Sequence, residues 1–309
     1  MASRHSASIH QLNSDYPLGI LNKYLYLLVN IIVAYLPSRL PKKLARYKFS
    51  PSEEVISKAI SEEDSPISPS RLLSNSFWNS LNWDLINEIL KNDLRVAEIG
   101  CGSGRYGGRL NTLSPLSSYL GIDLFQSENW QGFQDNFTFV QDSYENFSSH
   151  VTDQNLLITQ SAIEHFDKDL ILFRDINSYA EKCAYPVIAI HVFPSAFCIY
   201  TFLWHGIRQY GFYSIRRILK SSPNSSSQAL FSLGGKHSNR FHLRRITFPS
   251  VFQNIPLSQH PAEQYFSDLL SALSRDSLDP SKRSAAFYAL ILTWNTSNVA
   301  SSELNTLRK

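Results

Sequence analysis

The chain has 309 residues, 43% hydrophobic and 13% aromatic, with only 12 Gly and 14 Pro. That length allows one large domain or two smaller ones, and its apolar content supports a sizeable core, which excludes disorder, collagen-like repeats and low-complexity sequence. The net charge of +3 conceals an uneven distribution: residues 1–50 carry seven Lys/Arg against one acid, residues 182–262 carry nine and no acid, and the remainder is acidic. Such asymmetry bears on partners rather than on fold. Three scattered cysteines, Cys101, Cys183 and Cys198, make neither a disulfide framework nor a Cys-rich zinc site and suggest a reducing, cytoplasmic compartment. No histidine stands at metal-ligand spacing with a carboxylate partner, so no metal is expected.

Residues 24–36 read YLYLLVNIIVAYL, and Lys42, Lys43, Arg46 and Lys48 follow. The stretch falls short of the roughly 20 apolar residues that a spanning helix needs. It also starts late and lacks a small-residue cleavage site, which fits a signal peptide poorly. Leu18, Leu21, Leu25, Leu28, Ile32 and Tyr35 recur at helical spacing, so one face of this helix is strongly apolar. Two destinations follow for residues 18–48: a helix packed on its own domain or a second subunit, or an interfacial helix whose basic flank meets anionic headgroups. Residues 50–71 are polar, punctuated by Ser, Pro and Glu, and read as a solvated linker. Residues 1–72 are thus expected to form an extension, and 73–309 the main domain. Helical periodicity over 77–91 leads into that domain.

From residue 94 short β-rich runs alternate with amphipathic stretches: 95–99, 119–124, 137–141, 156–159, 186–191 and 285–294. This alternation predicts an α/β fold, a doubly wound, mostly parallel sheet covered on both faces. Ligands of such sheets bind beyond the carboxyl ends of the strands. The first run ends in VAEIGCGSGRYGG, which places Gly100, Gly102 and Gly104 directly after a strand. Glycines there allow positive φ and a close ligand approach. The dinucleotide fingerprint would want a glycine where Arg105 stands, and Glu98 at the loop mouth would repel a pyrophosphate, so a nicotinamide-dependent reductase is disfavoured.

The segments EIGCGSG (98–104), GIDL (121–124), VQD (140–142) and TQSAIEH (159–165) resemble, in order and interval, the class I S-adenosylmethionine-dependent methyltransferases. The last is similar to the "LEH" stretch of the small-molecule branch. The resemblance covers about residues 75–195 and implies a Rossmann-like fold with S-adenosylmethionine as cofactor. Gly100, Gly102 and Gly104 would then pass under its methionine and ribose, and Glu98 would help to place its amino group. Asp123 would bind the ribose hydroxyls and Asp142 the adenine amine, while Gln160 and Ser161 would line the methyl-donor pocket. An acid about 20 residues after such a loop points independently to ribose binding. The base for a hydroxyl acceptor stays open between His165 and His191, with Glu164 beside them.

Residues 191–250 interleave aromatic and basic side chains and are longer than a simple crossover. They are expected to form a substrate-recognition cap, broken by a mobile loop at 221–227. Trp204, His205, Arg208, Arg216, Arg217, Arg244 and Arg245 would bind an anionic small molecule, a sugar or a lipid-linked glycan. Nucleic acid is disfavoured, because it would call for a wider basic surface with more Lys. A basic solvated face over an aromatic core is the plainer reading of the same residues. For the whole chain, O-methylation is the first expectation and an inactive, cofactor-binding scaffold subunit the second.

Overall fold

The computed structural model describes residues 20–201, 206–279 and 284–296. Along the chain run α1 (Ile20–Tyr35), β1 (Leu44–Phe49), α2 (Glu53–Ser61), α3 (Pro69–Asn79) and α4 (Trp83–Ile89). Next come β2 (Arg95–Ile99), α5 (Arg105–Leu113), β3 (Ser118–Asp123), β4 (Phe137–Gln141), α6 (Phe147–His150) and β5 (Leu156–Gln160). The chain continues through α7 (Asp169–Lys182), β6 (Val187–Pro194), α8 (Phe212–Ser221), β7 (Ser227–Leu233), α9 (Lys236–His242), α10 (Ala262–Leu278) and β8 (Phe287–Trp294).

The eight strands form one sheet in the order β1-β7-β8-β6-β5-β2-β3-β4. β8 alone runs antiparallel to its two neighbours, β6 and β7. The architecture is therefore the expected α/β sheet with mostly parallel strands. β6, β7 and β8 are buried along their whole length, and in β6 and β8 this explains their nearly unbroken apolar runs. Alternate residues divide the core into two layers. Val96, Ile158, Ile190 and Phe231 pack under α3, α4, α9 and α10. Ala97, Leu157, Ala189 and Leu230 pack under α7 and α8. From β2 the chain turns to β3 and β4 on one side, then returns to β5 on the other. The switch in strand order thus lies between β2 and β5, where a ligand crevice is expected.

Two boundaries differ from the sequence expectation. Residues 50–71 are not a solvated linker but hold α2 and the start of α3. Their serines are helix caps: Ser52 Oγ accepts from the Val55 N–H at 3.3 Å, and Ser68 Oγ from the Arg71 N–H at 3.2 Å, with Pro69 opening α3. Ile56, Ala59 and Ile67 between them are core residues. Nor do residues 191–250 form one inserted cap, because β7 is an inner strand of the sheet. Its residues SQALFSL hide in sequence because Ser227, Gln228 and Ser232 are polar yet buried. Residues 222–226 form a turn anchored by buried Ser222 and Ser225, whose Oγ donates to the Ser222 carbonyl at 3.0 Å, with Pro223, Asn224 and Ser226 exposed. β1, with Arg46 and Lys48, is an edge strand, and charge on an edge discourages further pairing.

Candidate functional site

The loop after β2 turns on three left-handed glycines, Gly100 (φ +77°), Gly102 (φ +53°) and Gly104 (φ +79°). Gly100 is forced twice over, since a Cβ there would sit 2.4 Å from the Ala162 Cβ, across the switch point. Gly102 is different: a Cβ there would meet nothing within 4 Å. Its glycine leaves an open surface rather than relieving a protein contact.

Asp123, at the end of β3, holds the loop. Its Oδ2 accepts the Gly102 N–H at 2.7 Å and its Oδ1 the Phe125 N–H at 3.0 Å. Each carboxylate oxygen therefore keeps one further acceptor position. Asp142, after β4, is more heavily engaged. Its Oδ1 accepts from the Ser143 N–H and Asn146 Nδ2, both at 2.7 Å, and its Oδ2 faces His150 Nε2 at 2.6 Å. His150, Asn146 and the Ser143 N–H hold its carboxyl down at about 2. One acceptor position remains on Oδ2.

Glu98 is 1% exposed and accepts the Tyr119 hydroxyl at 2.5 Å. Burial, with the Asp123 charge adding, raises its carboxyl to about 8 against the Tyr119 hydrogen bond. Burial thus favours the neutral acid at the loop over the anion that the sequence reading placed there. Gln160, ending β5, accepts the Trp78 Nε1–H at 2.8 Å and donates to Ser161 Oγ at 3.2 Å. Ser161 adopts φ +51°, a strained setting for a residue with a Cβ and one that gathers at functional sites. Gln160 and Ser161 thus lie at the switch point between β2 and β5.

Beyond Ser161, Glu164 and His165 form a short 3-10 turn. Glu164 is fully buried, and burial raises its carboxyl to about 8. Its carbonyl accepts the Ile207 N–H at 2.8 Å. The neighbouring Ile163 carbonyl accepts the Tyr210 hydroxyl at 3.0 Å. His165 is half-buried on the same turn.

His191 is a correction. The expected strand stopped at this residue and so offered it to the crevice, but β6 runs on to Pro194. The ring lies in the core, edge-on to Phe173 at 4.8 Å, with Nδ1 3.0 Å from Thr159 Oγ1. Burial lowers its pKa to about 3, leaving a neutral imidazole remote from solvent.

The arginines assigned to substrate are dispersed, a second correction. Arg208 is ion-paired with Asp169 and donates to the Asp167 carbonyl at 2.7 Å. Arg216 and Arg217 occupy the exposed face of α8, opposite Ile215, Ile218 and Leu219, which pack on the sheet. Arg244 and Arg245 follow α9 on the other face of the sheet, where Arg245 pairs with Asp268 at 2.6 Å. No single anion-binding cluster forms from them, because the sheet lies between the two sets. Trp204 and His205 lie outside the described residues.

Several site residues carried no signal in sequence. Trp78 on α3 reaches Gln160 at the end of β5, Asn75 on α3 reaches Tyr106 at the start of α5, and Trp130 reaches the loop itself. Tyr106 donates to Asn75 Oδ1 at 2.9 Å, and Trp130 Nε1 donates to the Gly102 carbonyl at 2.8 Å. The single helix expected over 77–91 is instead the end of α3 and the separate α4, and nothing local showed that Trp78 would reach β5.

No family model matches the chain, and no curated protein matches it. Solved structures do. The plantazolicin methyltransferase BpumL in complex with SAH is similar at 12% identity over 89% of this chain and 98% of that one, with a TM-score of 0.45. The plantazolicin methyltransferase BamL, in complex with a triazolic desmethylPZN analog and SAH, is similar at 12% identity over 88% and 97%, with a TM-score of 0.45. A SAM dependent methyltransferase from Archaeoglobus fulgidus is similar at 15% identity over 68% and 90%, with a TM-score of 0.43.

Proposed function

We propose that this chain is an S-adenosylmethionine-dependent methyltransferase acting on the hydroxyl of a small acceptor, sugars included. One observation carries the reading: at the strand-order switch, Gly102 presents a surface open to 4 Å, and the Asp123 carboxylate that fixes it keeps one acceptor position on each oxygen. That pair matches the two hydroxyls of a ribose lying on the loop. The remaining position on Asp142 suits a single amine donor, such as that of adenine. Gly100, Gly102 and Gly104 would carry the methionine and ribose. Glu98, Gln160 and Trp78 would bound the amino-acid end.

When bound, the cofactor supplies a methyl group on a sulfonium, which is displaced in line by the acceptor oxygen. The protein's task is then alignment, exclusion of water and removal of one proton. His165, half-buried one turn beyond Ser161, is the base in this reading. Glu164 is buried in the same turn and would position His165 from beneath rather than touch the acceptor. The dispersed arginines lend no support to an anionic acceptor.

Isothermal titration with S-adenosylhomocysteine tests the assignment. Micromolar binding, lost in Asp123→Ala, is expected. Absence of binding by a folded parent chain would overturn it.

A further inference from the structure

The faces of α1 are inverted relative to an ordinary surface helix. Its inward line is Tyr26, Asn30 and Ala34, four residues apart and buried. Asn30 secures it: Oδ1 accepts the Gln209 N–H at 2.7 Å, and Nδ2 donates to the Tyr26 carbonyl at 2.9 Å. Gly211 passes so close that a Cβ there would be 2.9 Å from the Val33 carbonyl oxygen. The outward face carries Leu21 (81% exposed), Leu25, Leu28 (57%), Ile32 (51%) and Tyr35 (77%). A contiguous apolar surface of this kind on a helix marks a binding face.

We propose that α1 docks flat on an anionic lipid bilayer, with its outward face among the acyl chains and its basic neighbours on the headgroups. The charge pattern selects this occupant. No Asp or Glu occurs between residues 16 and 52, and Arg39, Lys42, Lys43 and Arg46, just beyond the helix, are exposed. α8, which packs beside α1, adds exposed Arg216, Arg217 and Lys220. In a two-fold contact between copies, each patch meets the same patch, and neither residues 16–52 nor α8 offers an acid to pair with these bases. A negative surface instead neutralises them. Sixteen residues span only about 24 Å, and among the described residues no helix is long and apolar enough to cross a membrane. The helix therefore lies on the bilayer, an interfacial arrangement. This surface stands independently of the methyl-transfer reading.

Co-sedimentation of the full chain with vesicles tests the proposal, using phosphatidylcholine alone and phosphatidylcholine with phosphatidylserine. Binding to the anionic vesicles, weakened by high salt, is expected. Leu28→Ser/Ile32→Ser should lower it about tenfold or more, and Arg39→Glu/Lys42→Glu should lower it on anionic vesicles selectively. Equal melting transitions will show that the variants fold. Should one not fold, protection of the α1 amides from hydrogen exchange on anionic vesicles decides with the parent chain alone. Three results would overturn the proposal: no sedimentation, equal binding to both vesicle types, or a concentration-dependent dimer abolished by Leu28→Ser/Ile32→Ser.

Discussion

Gly100 and Gly102 share a left-handed backbone and lie two residues apart, yet alanine should act on them in opposite ways. At Gly100 the new Cβ would sit 2.4 Å from the Ala162 Cβ. The left-handed φ costs about 1 kcal/mol, and the overlap adds about 1–3 kcal/mol of overpacking. Gly100→Ala should therefore lose about 2–4 kcal/mol of stability in urea unfolding. Adding Ala162→Gly removes the contacting atom and leaves Phe166 at 3.4 Å as the nearest neighbour. The double variant should recover most of the overlap, seen as a coupling energy of about 1–3 kcal/mol. At Gly102 no atom lies within 4 Å of the added Cβ, so only the backbone cost of about 1 kcal/mol applies. Yet that Cβ would stand on the surface where the ligand is placed, so affinity for S-adenosylhomocysteine should fall about tenfold or more, roughly 1.4 kcal/mol. Paired urea unfolding and titration calorimetry measure both quantities. If Gly102→Ala unfolds as easily as Gly100→Ala, or binds like the parent, the open-surface argument is wrong.

Three further outcomes are expected. Glu98 and Glu164 both have carboxyls raised to about 8 by burial, so the folded state holds protons that the unfolded chain releases above about pH 4.5. Stability should fall as pH rises from about 4.5 to 8 and level off beyond, and Glu98→Gln/Glu164→Gln should flatten that slope in urea midpoints; an unchanged slope refutes the assignment. His191, lowered to about 3 by burial, works in the other direction. Its contribution is present above the unfolded value of about 6.5 and lost as pH falls towards 3, so His191→Gln should reduce acid sensitivity in that window while S-adenosylhomocysteine binding stays intact. Trp78→Phe removes the N–H that satisfies Gln160 Oε1; the buried acceptor left behind should cost about 1–3 kcal/mol of stability by thermal unfolding, and a cost near zero would mean that the bond does not form.

The glycine loop and the acids after β3 and β4 were legible in sequence because their signals are local. A positive φ demands glycine at once, and a carboxylate at a strand end needs only the strand to be located. The same holds for the apolar runs of β6 and β8, which must be buried on both faces. What escaped depends on contacts distant in the chain. β7 could not be read from Ser227, Gln228 and Ser232, because their burial is set by β1 and β8 on either side. The caps at Ser52 and Ser68 look like linker until the helices they start find a core. His191 changed role through three further residues of strand, and the arginines of 208–245 separated because a sheet passes between them. Sequence by itself determined the alternating α/β pattern and where the glycine loop must turn. Tertiary structure alone decided which helix covers that loop, which ionisable groups lose water and so shift their titration, and which face of α1 is left outward. Burial and charge separation belong to the packed assembly, and no local run of residues holds them.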